Sequence, residues 1–291
     1  MPTTDGSEGS RALIDDAREA IRVERRRTVD EREAFRSFRG RLEAIPTEST
    51  SPDGSRAADL GSPGGPPGIS GTGGATGPTA APGATADAGS GVPTAPPGSG
   101  LVAVRDAYVE TVMSVPHYEA EYDDTYERSV AAEFGPELAY SLTRSAAYHP
   151  DCERALFDAV DAAIAERERL EERLATEAES LDRAGSRLAA VRREIASLDA
   201  AIPDGDFGAL DACRARAGVL VDDCDRIAAR RQRVIAAHER ELRLDEDAVD
   251  LPTYLYGSID ATYPVLAAVG AVGDRLDGLT RRIERAMARV G

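Results

Sequence analysis

The chain has 291 residues and a formal net charge of −17, from 35 basic residues against 52 acidic ones; every basic residue is Arg, there is no Lys, Asn or Trp, and Gln232 is the single Gln. Composition alone therefore excludes lysine chemistry (a P-loop lysine, a Schiff base, a Ser–Lys dyad) and N-glycosylation. No run of 18 apolar residues is present, so no membrane-spanning helix is expected, and the polar stretch Met1 to Ser10 lacks the apolar core of a signal peptide.

Residues 1–9 read as a disordered N-terminus and 10–46 as one helix. Ile14, Ile21, Thr28, Phe35 and Leu42 recur every seven residues, with Ala17, Phe38 and Ile45 on the intermediate line and Glu24 and Glu31 as polar breaks. Ser10 is the expected N-cap, and Pro46 ends the pattern. Residues 47–100 hold 14 Gly and 9 Pro and almost no large apolar side chain. Such a segment cannot bury enough surface to offset its ordering entropy, so a disordered linker is expected. Its GTGGATG run at 71–77 misses the dinucleotide-binding spacing and has no flanking strand.

Residues 101–149 read as a region of shorter helices. Leu101, Val104, Tyr108, Thr111 and Val115 share a face before Pro116, and Tyr118, Tyr122 and Tyr126 follow at spacing four. After Gly135–Pro136 a helix carries Leu138 and Leu142, and His149–Pro150 opens the next element with acids in its first turn. That element, 150–202, has a seam of Leu and Val side chains at 3–4 spacing interrupted by Arg167 and Glu177. Over more than six heptads this is a coiled-coil pattern. A turn at Pro203–Asp206 leads to a second seam from Leu210, interrupted by Arg231, His238 and Glu241.

Folding the seams about Asp204 makes facing residue numbers sum to 408. Leu198 then meets Leu210, Leu188 meets Leu220 and Leu181 meets Ile227, while Glu177 faces Arg231 and Arg167 faces Glu241. Seam charges opposite countercharges point to an antiparallel coiled-coil hairpin over 150–243, its two ion pairs partly exposed and acting mainly on register. Residues 244–291 read as a connector carrying Tyr254 and Tyr256, then a last helix with Val265, Val269, Val272, Leu276, Leu279, Ile283, Ala286 and Val290 on one well-buried seam. No stretch alternates with period two. The expected fold is all-α: an elongated antiparallel coiled-coil hairpin with additional packed helices and a disordered linker.

The acidic excess suits a salt-rich cytosol, where net charge keeps proteins dispersed. It also opposes phosphate-driven nucleic-acid binding. Cys152, Cys213 and Cys224 form no CxxC motif; within one helix the last two would stand about 16 Å apart along the axis, so they read as free thiols of a reducing compartment. His117, Glu121 and Asp124 lie at i, i+4 and i+7 and could present a metal-binding face. The Glu-x-x-His motif of di-iron bundles is absent, since Ser114, Ala146 and Ile235 stand three residues before the three histidines. His149 and Cys152 at a helix start would make a weak nucleophilic pair if the thiol pKa were lowered there. For each of these sites local packing and solvation is the simpler reading. Tyr118, Tyr122 and Tyr126 could form a partner face, their acidic neighbours selecting an Arg-bearing partner.

The segment DAYVETVMSVPHYEAEYDDTYERSVAAEFGPELA, Asp106 to Ala139, with the long Arg/Glu helices and the ARRQR stretch at 229–233, resembles a family of haloarchaeal proteins whose domain has no known function. The likeness covers roughly 10–45 and 101–290. It implies a helical, coiled-coil architecture and a haloarchaeal host, and it supplies no catalytic residue.

These features favour a non-enzymatic, cytoplasmic interaction or scaffold protein with a protein partner, no nucleic acid, no membrane, no metal and no cofactor; they set no oligomeric state. The alternatives are a small-ligand- or metal-binding enzyme with its site in 101–149, and a transcription-associated regulator using the N-terminal helix. Limited proteolysis at molar salt should cut within 47–100 while both flanks survive, and the two fragments should co-elute on a sizing column if Ile14, Ile21, Phe35 and Leu42 pack on the rest.

Overall fold

The computed structural model describes residues 5–48, 98–202, 205–244 and 250–290, and all regular structure among them is helical. In chain order these are α1 (Asp5–Leu42), α2 (Ser99–Val109), a 3-10 turn (Val112–Ser114), α3 (Tyr118–Glu121), α4 (Tyr126–Phe134), α5 (Pro136–Arg144), α6 (Pro150–Ala201), α7 (Phe207–Leu244), α8 (Leu251–Tyr256) and α9 (Pro264–Val290). With 52 residues, α6 is about 78 Å long. Its start follows from sequence: His149 is extended, Pro150 occupies the first turn, and Asp151 and Glu153 complement the helix dipole.

Helix α1 begins ahead of the expected cap. Ser10 is instead a buried residue inside the helix, where its hydroxyl accepts from Arg192 of α6 at 3.0 Å. The expected disordered segment 1–9 is therefore helical from Asp5, its first four residues lying outside the described ones. Most of the expected linker, 49–97, also lies outside the described residues. Its two ends are fastened together. The Glu48 carboxylate accepts from the backbone N–H of Gly98 and of Gly100, each at 2.9 Å, and the Glu48 N–H donates to the Tyr148 carbonyl at 2.7 Å. Those two N–H donors hold the Glu48 carboxyl below the usual carboxylate range. A Cβ at residue 100 would stand 2.8 Å from the Tyr148 Cβ, so this approach requires glycine.

Four long helices share a core. Ile14 and Ile21 of α1, Leu181, Leu188 and Ile195 of α6, Leu220 and Ile227 of α7, and Leu276, Leu279 and Ile283 of α9 are all buried in one cluster. Arg18–Asp182, Arg32–Glu171, Arg36–Glu168 and Arg39–Asp161 run α1 antiparallel to α6. At Gly185 of α6 an added Cβ would lie 2.8 Å from Arg18 Nη2 and 3.1 Å from Ile14 Cγ2. The chain reverses between α6 and α7, and Arg216–Glu194 and Arg231–Glu177 join them. From sequence, α6 and α7 are each other's main partners. In the structure α6 packs most extensively along α1, and α7 along α9. The reason is that all four helices carry an apolar stripe, and a two-helix seam would leave α1 and α9 with theirs in water. On α9 the expected seam is buried at Val265, Val272, Leu276, Leu279 and Ile283, but Val269 and Ala286 are half-buried and Val290 is exposed.

The Glu177–Arg231 contact is far more buried than the partly exposed pair expected from sequence, each side chain being 1% exposed. Arg231 donates to both Glu177 oxygens, at 2.7 and 2.6 Å, and to Ser180 Oγ at 3.2 Å, while Tyr256 of α8 donates to Glu177 Oε1 at 2.5 Å. A carboxylate in this position is tolerated only because its oxygens are occupied. Removing one partner strands a buried charge. Arg231→Ala or Glu177→Ala should therefore cost about 3–5 kcal/mol in urea denaturation, not the 0–1 kcal/mol of a surface pair. Glu177→Arg with Arg231→Glu should recover part of the loss of either single change, read as a coupling energy in a double-mutant cycle.

Candidate functional site

Helix α1 serves two apolar clusters. Ile14, Ala17 and Ile21 belong to the four-helix core; Phe35, Phe38 and Leu42 belong to a second, with Tyr108, Val130, Leu142, Leu156 and Val160. Between them lie Glu24, Thr28 and Glu31 on α1 and Arg167 and Glu171 on α6. The seam breaks of two helices thus meet at one level and make a polar belt.

Arg167 is the centre of this belt. Its Nε donates to Glu31 Oε2 at 3.2 Å, its Nη2 to Glu133 Oε1 of α4 at 2.7 Å, and its guanidinium stacks 4.9 Å from the Phe35 ring centre. The other Glu31 oxygen lies 3.1 Å from His117 Nε2 and accepts from the Tyr122 hydroxyl at 3.1 Å. Glu121 pairs with Arg27 at 2.5 Å, and the Tyr254 hydroxyl donates to Glu24 at 2.6 Å. Burial raises the Glu133 carboxyl above its ordinary range, opposed by Arg167. For Arg167, burial acts to lower the guanidinium pKa, but Glu133 and Glu31 more than offset it and the charge is held. A cavity of about 50 Å³ adjoins the cluster, lined by Phe35, Tyr118, Tyr122, Ser129, Glu133 and Arg167. It suits a few water molecules or a ligand of comparable size.

The other residues singled out from sequence are dispersed. Tyr118, Tyr122 and Tyr126 do not share a face: α3 is a single turn, Asp123 takes a left-handed backbone (φ 42°), and α4 restarts at Tyr126. Tyr118 and Tyr126 are buried, Tyr126 edge-on to Tyr108 at 5.6 Å, and only Tyr122 is exposed. Its hydroxyl nonetheless reaches Glu31. His117, Glu121 and Asp124 go to three separate partners, Glu31, Arg27 and Arg128. Burial pushes the Cys152 thiol up, against the lowering expected from a helix start, so His149 and Cys152 make no activated nucleophile. Arg167 has Glu31, Glu133 and Glu166 as described partners, while the Glu241 side chain lies outside the described residues. Glu31, Glu133 and Tyr254 were not singled out as a group from sequence. The available signal was the coincidence of breaks, Glu24 and Glu31 against Arg167.

This belt is built from the segment Asp106 to Ala139 together with α1 and α6, and family comparison covers all three. The model of a domain of unknown function, DUF7260, matches residues 12–280. The chain belongs to the DUF7260 family. The DUF7260 match takes in the belt, the Glu177–Arg231 pair and both apolar clusters apart from Ile283. No curated protein and no solved structure matches the chain.

Chemically, the DUF7260 belt is a clamp in which carboxylates outnumber the guanidiniums that join them. It ties α3 and α4 to the middle of α1 and α6 through groups that satisfy one another. Arg167→Met should leave Glu31 and Glu133 facing each other and cost about 2–3 kcal/mol, less than a fully buried pair because these side chains keep some exposure. Glu133→Gln retains an acceptor for Arg167 and should be far milder. Its sign with pH is set by the raised Glu133 pKa. The folded state holds that proton more tightly than the unfolded chain, so the contribution is full below the ordinary glutamate range and is lost as pH rises through the raised folded value. Urea melts from pH 4 to 7 should show this slope in the parent and its loss in Glu133→Gln.

Proposed function

We propose that this DUF7260 protein is a non-enzymatic interaction or scaffold protein of a salt-adapted cytosol, built on an antiparallel coiled-coil hairpin of α6 and α7 braced by α1 and α9. The observation that carries this reading is the commitment of the belt. Glu31 receives Arg167, His117 and Tyr122; Glu133 receives Arg167; Glu24 receives Tyr254. The residue types best suited to acid–base or ligand chemistry are spent on holding helices together. The chain's remaining resource is long helical surface. Cross-linking of the tagged chain at molar salt, with the cross-linked peptides read by mass spectrometry, should give reproducible links between a protein partner and the exposed faces of the long helices.

A second reading rests on the 50 Å³ cavity beside Glu133, whose raised pKa is the kind of perturbation found at functional sites. It would make 101–149 the wall of a small-ligand site. A stoichiometric metal or retained small molecule in the purified protein, lost in Glu133→Gln, would favour this reading over the scaffold.

Salt adaptation has its own consequence. Residues 101–202 carry 11 Arg against 22 acids, a net −11, and screening relieves their repulsion. The melting temperature followed by circular dichroism should rise from dilute buffer to molar potassium chloride.

A further inference from the structure

The outer groove between α6 and α7 differs from the α1–α6 seam in its charges. Along α1 and α6, Arg18, Arg32, Arg36 and Arg39 each meet a carboxylate of the neighbouring helix, and Arg282 of α9 meets Asp199. Four cations of this groove have no such cross-helix partner among the described residues. Arg183 and Arg187 line one rim and Arg230 and Arg233 the other, all exposed. Arg183 pairs with Glu179 of its own helix, at 3.4 Å, and Arg233 donates to the Ala229 carbonyl. Arg187 and Arg230 make no ion pair among the described residues. The floor is apolar, formed by Ala184, Ile227 and Val234, and the groove encloses about 440 Å³. Arg231 also lines it, and its Nε is buried without an acceptor. Toward the turn the groove ends where Arg216 pairs with Glu194.

We propose that this groove docks an acidic amphipathic helix of a protein partner, an assignment that rests on the interaction reading above and supplies its chemistry. Two features select that occupant. A groove between antiparallel helices has the shape a third helix fills, and α9 packs against both α6 and α7 elsewhere on the pair. An apolar floor between cationic rims calls for apolar residues at i, i+3 or i+4 and i+7, flanked by carboxylates. From Ser180 to Arg187 the lining spans about 10 Å, two turns of a helix. A small anion would satisfy the rims and leave the floor in water. Nucleic acid would meet a chain of net charge −17.

The test uses the full chain at the lowest salt that preserves its helical signal, with a stapled, fluorescently labelled peptide of about fourteen residues carrying Leu on one face and Glu on its flanks. Fluorescence anisotropy should show saturable binding. An analogue with Arg in place of Glu, and one with Ser in place of Leu, should each bind at least tenfold more weakly. The double variant Arg187→Glu/Arg230→Glu should lose tenfold or more with its circular-dichroism melt retained, and Arg154→Glu, exposed at the far end of α6, should leave affinity unchanged. If the double variant unfolds, Arg187→Ala/Arg230→Ala takes its place with the same expected loss. The proposal is overturned if the Arg-for-Glu analogue binds equally well, or if the groove variants do not alter affinity. It is also overturned if inorganic phosphate competes while the Ser-for-Leu analogue binds as tightly as the parent peptide, which makes the groove an anion site. A sedimentation mass that falls to monomer in the double variant would make the occupant a second copy and likewise overturn it. Peptide failure alongside cross-links elsewhere on the long helices would sink the groove and leave the interaction reading standing.

Discussion

Glu177 and Arg231 lie toward one end of the four-helix core, each almost wholly removed from water, and they face each other across α6 and α7. Desolvating both charges costs several kcal/mol, and the cost is met only when the guanidinium fork sits squarely on the carboxylate. Slipping α7 by one heptad would set Glu177 against Cys224 or His238, with no countercharge. The pair is therefore a register device. Its third member, Tyr256, extends the effect beyond the two helices: the hydroxyl draws α8 onto the same carboxylate, and α9 follows a few residues later. One polar layer thus sets where three consecutive segments begin their packing.

A second polar layer, at Arg167, does a different job. It separates the four-helix core from the aromatic cluster of Phe35, Phe38, Tyr108 and Phe134, whose rings meet edge-on or stacked at 5.2–6.4 Å. α1 and α6 run through both, so the short helices are not a separate module. They are the far end of the same two rods, and the belt of Glu31, Glu133, His117 and Tyr122 fixes the angle at which they join.

Much of this was legible in the chain because long helices write their packing as a period. The apolar seams of 150–202 and 210–241 mark the lengths of α6 and α7, and two seam charges equidistant from a Pro-Asp-Gly turn mark the contact of Glu177 with Arg231. The depth of that contact was not legible. The two seams alone describe a two-helix ribbon with a wet edge, and only the addition of α1, α8 and α9 closes water out. The partners of Arg167 were hidden for a related reason. Glu31 and Glu133 come from segments more than 30 residues away, and periodicity within one helix carries no information about which other helix will arrive. The tyrosine stripe misled because spacing four suggests a continuous helix, whereas Asp123 turns left-handed with neither Gly nor Pro to announce it. Glu24 and Glu31 read as flaws in an apolar line; the structure makes them its organising points.

The Glu48 clasp changes what chain length means in this protein. Carboxylate and N–H contacts bring residue 48 to residues 98 and 100, so both ends of the intervening stretch are fixed by the bundle itself. The mouth is thus set by residues 48, 98 and 100, whatever lies between them. For flexible loops in general, closing such a mouth costs only about 0.6 kcal/mol more for each doubling of length. In effect the clasp is an eyelet: a loop-mouth whose width is written into the bundle rather than into the chain that passes through it.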